Sequence, residues 1–461
     1  MPKNETKRNV LCVKSDSILL WACAFFLFLC ETKDDKPHLI MRIRFLFSSL
    51  LLPLMVFCTP AAAPEQNEQT PGNTQEEQTN PDDEIDPEIK NGAKILVTNP
   101  VVQQFIEEIH YPERDYSYSA MQRGSEADFL KTTYIDLDGN VQPKLYISPG
   151  NCDIPQKYTI RWPKDTQSQS YTGKLWEGDW STEVDLKPNP DDEVSFGFWT
   201  ITNLRPNAHY FWKVTNGSTV ITEGEFDTYG LLHQLIFKPA NSLGVRNVRD
   251  LGGWKTKDGA KTVKYRKIYR GGRPDHIKPS GVQEAREEGI MAELDLRGNS
   301  DVLEASAFNY EGVAFCAPII EEGYIWMLRD DKEKTRQVMQ FIIDCVKADK
   351  PVYFHCSLGR DRTGTTALLC LGLLGVDEGD ISKEYELTQF APSGYSISSG
   401  EKTRMTRLTG GDYDDAALFL WDYGKHDDGS YDEFKDCVEK YLLEIGISQQ
   451  DINDFRNNML E

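Results

Sequence analysis

The chain has 461 residues, 39% of them hydrophobic, and carries a formal net charge of −22 from 51 Lys and Arg against 73 Asp and Glu. That length suits two or three domains. So acidic a balance excludes an extended nucleic-acid footprint, which needs a net basic surface, yet it permits a locally built anion site because net charge governs solubility and steering.

Two apolar stretches, residues 18–30 and 45–57, open the chain. Both are shorter than the roughly 20 residues of a spanning helix. The second follows Met41-Arg42-Ile43-Arg44 and so has the basic start and short apolar core of an export signal. Residues 1–58 are expected to be a leader with its signal segment at 41–58, translation starting at Met41. Cleavage falls before Cys58 or after Ala63, and Pro64 disfavours the second. Cys58 is the candidate for lipid attachment, although bulky Phe57 fits a lipoprotein box loosely. Either route predicts an exported protein, in the periplasm or at the outer membrane of a Gram-negative bacterium. Residues 59–92, rich in Pro, Glu, Gln, Asn, Thr and Asp, read as a flexible acidic tether.

Residues 93–230 change character. Strands are predicted at 131–135, 144–147, 158–162, 195–199, 210–214 and 220–226, separated by turn residues such as Asp138-Gly139-Asn140 and Asn216-Gly217. Strands at this spacing imply an all-β sandwich. Leu204-Arg205-Pro206-Asn207-Ala208-His209-Tyr210 also resembles the corner of a fibronectin type III domain, in which the Tyr fastens the turn. Trp199 and Trp212 lie at alternating strand positions and are expected in the core, whereas Trp176 and Trp180 are expected in an exposed loop.

Residues 231–461 alternate strand and helix, predicting an α/β domain with a central, mainly parallel sheet. Strands are expected at 262–269, 291–296, 313–318 and 351–356, and helices at 279–288, 332–346, 363–374, 431–445 and 449–459. The apolar run 351–354 delivers His355-Cys356-Ser357-Leu358-Gly359-Arg360-Asp361-Arg362-Thr363-Gly364 to the carboxyl end of the sheet. Backbone N–H groups of Ser357, Leu358, Gly359, Arg360, Asp361 and Arg362, the start of a helix and the planar guanidinium of Arg362 can converge there on an anion. The same field would stabilise the thiolate of Cys356 and make it a nucleophile at neutral pH. His355 points the other way along the strand, to pack or to fix the loop by a hydrogen bond. Cys152, Cys316, Cys345, Cys370 and Cys437 have no metal-ligand spacing and suggest no disulfide framework. No metal or cofactor is expected.

The His-Cys, five residues, Arg-Thr pattern resembles the cysteine-dependent protein tyrosine phosphatases. Its Gly-Arg-Asp-Arg-Thr-Gly ending looks like the atypical bacterial branch, with Arg360 where that branch has lysine. Asn247-Val248-Arg249-Asp250-Leu251-Gly252-Gly253, Tyr269-Arg270-Gly271-Gly272 and the run from Ile381 to Thr388 resemble the same branch. The resemblance implies in-line attack by Cys356, a phosphocysteine intermediate, transition-state binding by Arg362 and a hydroxyl contact from Thr363. It implies Asp361 as general acid, with Glu321 and Glu322 on the upstream loop as the alternative. Arg360 would either grip a second phosphate or pair with Asp361. The expected substrate is a phosphotyrosyl protein or a phosphorylated small molecule or lipid, with a phosphoinositide or inositol phosphate as the alternative. A phosphate- or polymer-binding module without turnover is the reading from another class.

Overall fold

The computed structural model describes residues 88–108, 153–164, 170–187, 196–237, 245–391 and 412–461, with the backbone alone of four two-residue strands. The leader, the signal segment, Cys58, Cys152 and nearly all of the tether lie outside the described residues.

The N-terminal half begins with β1 (Ala93–Leu96) and then a helix, α1 (Pro100–Glu108). No helix was expected in this stretch. Its signals were nevertheless present: the Asn99 side chain accepts from Val101 N–H at 3.0 Å, Pro100 occupies the first turn, and Val102, Phe105 and Ile106 recur at helical spacing. Three two-residue strands follow, with β2 (Tyr134–Ile135) pairing with β3 (Val141–Gln142) and β4 (Leu145–Tyr146) with a distant partner at Arg404–Met405. Next come β5 (Tyr158–Pro163), β6 (Tyr171–Glu177), β7 (Trp180–Leu186), β8 (Phe196–Ile201), β9 (His209–Asn216) and β10 (Thr219–Tyr229). They form a five-stranded sheet in the order β1-β10-β9-β6-β7 and a separate β5-β8 ladder. Alternate residues of both, including Ile160, Trp162, Leu175, Trp199, Tyr210, Trp212 and Phe226, share one buried cluster. The Tyr210 hydroxyl accepts from the backbone N–H of Arg205 at 2.9 Å and ties down the preceding turn.

Trp176 and Trp180 are not on a loop. They end one strand and begin the next around the Gly178-Asp179 turn, since Gly178 takes the left-handed conformation (φ 52°) that a tight hairpin requires. Trp176 stacks on Phe211, whereas Trp180 is pinned by the C-terminal half: Arg266 lies 4.0 Å over its ring and its indole N–H donates to Glu287 O at 3.1 Å.

The C-terminal half is an α/β domain around a mixed sheet. Its strands are β11 (Arg249–Asp250), β12 (Ile268–Gly271), β13 (Ala292–Asp295), β14 (Ala314–Cys316) and β15 (Val352–His355), in the order β11-β12-β15-β13-β14. Only the β11-β12 pair is antiparallel. Every residue of β15 is buried, which is the pattern of a central strand covered on both faces. The helices are α2 (Pro279–Glu288), α3 (Tyr324–Arg329), α4 (Lys332–Lys347), α5 (Asp361–Leu374), α6 (Glu378–Glu386), α7 (Asp412–Trp421), α8 (Phe434–Glu444) and α9 (Gln449–Met459).

The expected strand at 262–269 shrinks to β12, because Thr262 and Val263 pair instead with Lys255 and with the chain end at Leu460. As expected, β14 follows β13 with no helix between them, and both are shorter than the expected 291–296 and 313–318. Asp331 stands at the N-cap of α4 but its side chain makes no capping bond, pairing with Lys334 at 3.2 Å instead.

One feature crosses the expected boundary at residue 230. Val102, Phe105 and Ile106 of α1, together with Leu232, belong to the same buried cluster as the α/β helices. Phe105 meets the Phe390 ring at 5.2 Å, and the buried Lys383 ammonium donates to Ile106 O at 3.0 Å. Helix α1 therefore packs into the α/β core.

Candidate active site

Strand β15 ends at the centre of the sheet and sets Cys356 at the base of a loop that runs directly into α5. The thiol is almost wholly buried, at 2% exposure. Burial alone would push it up, yet the Arg362 charge together with the Thr363 hydroxyl and backbone N–H brings it below the ordinary cysteine range. Thr363 is fully buried, and its hydroxyl has no hydrogen-bond partner among the described residues.

The loop carbonyls are drawn outwards. Ser357 O accepts from Arg273 N–H at 3.2 Å, and Leu358 O and Gly359 O accept from the Asn247 side-chain amide at 3.3 and 2.9 Å. Arg270 also donates to Gly359 O. With these carbonyls held on the outside, their peptide N–H groups are turned towards the ring, the geometry of an anion nest. Gly359 has φ 70°, and a Cβ there would lie 2.5 Å from the Gly271 backbone, so only glycine fits.

A second ring of buried charge holds these outer donors. Glu384 on α6 accepts from Arg249 Nε at 2.8 Å and from Arg270 Nη1 at 2.9 Å. Burial would raise its carboxyl, but the two guanidiniums keep it below the ordinary range. His355 lies behind the loop, wholly buried, with Nε2 2.9 Å from Glu293 and Nδ1 3.3 Å from Cys356 O. Burial works against its charge, whereas Glu293 and Asp295 outweigh that and raise it above the ordinary histidine range. A protonated ring donates from both nitrogens, so it fixes the loop from the strand side. Ser357 Oγ is tied to Asp301 at 3.1 Å.

Arg362 is half-buried, and its Nη1 donates to Ile320 O at 2.9 Å. That contact presses the 319–324 segment onto the loop, with no room at Gly323 for a Cβ, which would lie 2.8 Å from Arg362 N. The two acid candidates part company here. Asp361, in the first turn of α5, accepts a hydrogen bond from the Tyr324 hydroxyl and lies 3.4 Å from Arg360 Nε, with its side chain 46% exposed. Glu321 is exposed and accepts from Asn299 N–H at 3.0 Å, while Glu322 is exposed beside it. Arg360 also meets the Tyr385 hydroxyl at 3.4 Å, and the Tyr324 and Tyr385 hydroxyls are 2.5 Å apart.

The motifs around Asn247 and Arg270 were noted in the sequence, but no role was assigned to Asn247, Arg249, Arg270, Glu384, Tyr324 or Tyr385. Their function is relational, created when β11, β12, α3 and α6 meet behind one loop. Arg270 alone gave an advance signal, a charge directly after the apolar Ile268-Tyr269 of β12; β11 and α6 are themselves charged and mark out neither Arg249 nor Glu384.

Residues 241–461 match the family model described as "Tyrosine phosphatase family". Among curated proteins, the chain is 26% identical over 188 residues to one from Cupriavidus necator provisionally named a tyrosine-protein phosphatase, covering 36% of this chain and 67% of that protein. It is 28% identical over 150 residues to a tyrosine-protein phosphatase of Nostoc commune, covering 29% of this chain and 47% of the relative. Among solved structures, Pseudomonas aeruginosa TpbA aligns over 28% of this chain and 75% of its own, with 16% identity and a TM-score of 0.23. The chain thus contains a domain of the tyrosine-phosphatase-like superfamily.

Proposed function

We propose that the chain is an exported phosphomonoester hydrolase of the protein tyrosine phosphatase type, with a fibronectin-like sandwich as its N-terminal support. The observation that carries the reading is the buried Cys356 thiol, held below its ordinary range by Arg362 and Thr363 inside a loop whose carbonyls are pulled outwards. The export part rests on the sequence of residues 41–58.

In the first step the Cys356 thiolate attacks phosphorus, an S–P bond forms, the P–O bond to the leaving group breaks, and Asp361 protonates the departing oxygen. In the second, water attacks phosphorus, gives a proton back to Asp361 and breaks the S–P bond, releasing phosphate. The loop N–H groups and the Arg362 fork carry the equatorial oxygens through both transition states. Arg360 is already engaged by Asp361 and Tyr385. This supports a loop-organising role over a second phosphate grip, and so a phosphotyrosyl substrate over a phosphoinositide.

The test is steady phosphate release from p-nitrophenyl phosphate under reducing conditions, with phosphotyrosyl peptides and phosphoinositides compared in parallel. Folded protein without turnover would favour a binding module instead. Asp361→Asn is expected to slow alkyl phosphates about 10²- to 10³-fold and p-nitrophenyl phosphate much less, since nitrophenolate leaves without help. Leaving-group dependence in Glu321→Gln or Glu322→Gln, with none in Asp361→Asn, would move the acid to the upstream loop. Arg362→Lys keeps the charge but loses the fork, and is expected to lower kcat roughly 10²-fold or more on every phosphomonoester tested.

A further inference from the structure

Behind the phosphate loop stands a carboxylate that the reaction does not consume and that lies outside the family match. Asp153 Oδ2 accepts from the backbone N–H of Asn247 at 2.9 Å, and its own N–H donates to Phe390 O at 3.1 Å. Asn247 has φ 57°, a left-handed conformation that must be held by its surroundings. The same residue reaches the loop through its side chain, to Leu358 O, Gly359 O and Thr388 Oγ1, and accepts from Arg249. Asp153 is thus one hydrogen bond removed from the carbonyls that shape the cradle. Its second oxygen, Oδ1, is buried without a hydrogen-bond partner among the described residues.

We propose, resting on the phosphatase reading, that Asp153 is a positioning residue for the phosphate loop, supplied by the N-terminal half and acting through the backbone of Asn247. An ionised acceptor makes a stronger bond to a peptide N–H than a neutral one does, so the charge serves to hold Asn247 in its strained conformation. That charge is kept against the interest of stability. Burial pushes the Asp153 carboxyl up to about 6, although the Asn247 N–H, Arg249 and Arg246 pull the other way.

The sign follows from linkage. A folded-state value above the ordinary carboxyl value of 3.8 means that the protonated form is the one folding favours. The stabilisation is full below the unfolded value and is lost as pH rises through about 6. At pH 7.5 the ionised group therefore costs stability, and a neutral isostere should relieve that cost while weakening the grip on Asn247.

Asp153→Asn in the full chain tests this with readouts that need no turnover. The expected result at pH 7.5 is a Tm equal to or above that of the wild type, the difference narrowing as pH falls from 6 towards 4. Alongside it, kcat on p-nitrophenyl phosphate should fall about 10-fold, since small misplacements of a reacting group cost up to about 10². Iodoacetamide alkylation of Cys356 should shift to higher pH, and inorganic phosphate should bind more weakly. An unchanged alkylation profile and unchanged phosphate affinity would overturn the proposal. So would a lower Tm at pH 7.5, which would make Asp153 an ordinary structural contact. A wild-type chain that alkylates at low pH and binds phosphate without hydrolysing any ester would refute the phosphatase reading and leave the positioning role standing.

Discussion

Cys356→Ser is expected to abolish turnover, with kcat falling on the order of 10⁴-fold or more, because loss of a covalent nucleophile removes the whole reaction channel. A serine hydroxyl is hardly ionised at neutral pH, and the field of Arg362 and Thr363 that suffices for a thiol cannot bring it into range. Binding should survive. The loop carbonyls remain tied to Asn247, Arg270 and Arg273, so the inward N–H groups and the Arg362 guanidinium still meet an anion. Calorimetric titration with inorganic phosphate should therefore give an affinity at least as tight as the wild type's, since removing the thiolate also removes a negative charge from the base of the site. Turnover near the wild-type rate would sink the covalent mechanism, and lost binding together with lost turnover would show that the sulfur organises the loop.

The sequence made the loop legible because its chemistry is local: strand end, cysteine, glycine, arginine and helix start lie within ten residues, and each has a meaning that needs no distant partner. Helix α2 was legible for the same reason, its Pro279 start and its end at Gly289 being local signals. The support of the loop was not legible. Glu384 is 135 residues from Arg249 and 114 from Arg270, and no periodicity announces that such residues will share one buried site. Tyr324 and Tyr385 read as ordinary aromatics until α3 and α6 bring their hydroxyls together over Asp361. The Trp176 and Trp180 hairpin was mistaken for a loop because two glycines and charged residues masked the alternation. Strands β6 and β7 are stabilised by pairing with each other and by β9 rather than by their own composition.

The family match begins at residue 241, which invites the view that residues 241–461 form a self-sufficient catalytic unit. The packing argues against it, and the expected result is that this fragment does not fold as the full chain does. Cutting there removes the side chains of Val102, Phe105, Ile106 and Leu232 from the α/β core and leaves the Lys383 ammonium without Ile106 O. Each lost apolar side chain is worth about 1.5–3 kcal/mol of burial, against a total domain stability of roughly 5–15 kcal/mol. The damage falls where it matters, since α6 and the turn after it carry Glu384, Tyr385 and Thr388, all of which hold the Cys356 loop or its partners. In the full chain, Phe105→Ala isolates the effect: the ring is wholly buried against Phe390, so a loss of about 3–5 kcal/mol is expected, read as a Tm lower by roughly 10 °C. The fragment should retain far-ultraviolet dichroism while losing near-ultraviolet signal and gaining dye-binding apolar surface, the behaviour of a collapsed but unpacked chain. Cooperative unfolding of residues 241–461 with undiminished turnover on p-nitrophenyl phosphate would show that α1 merely rests on the domain.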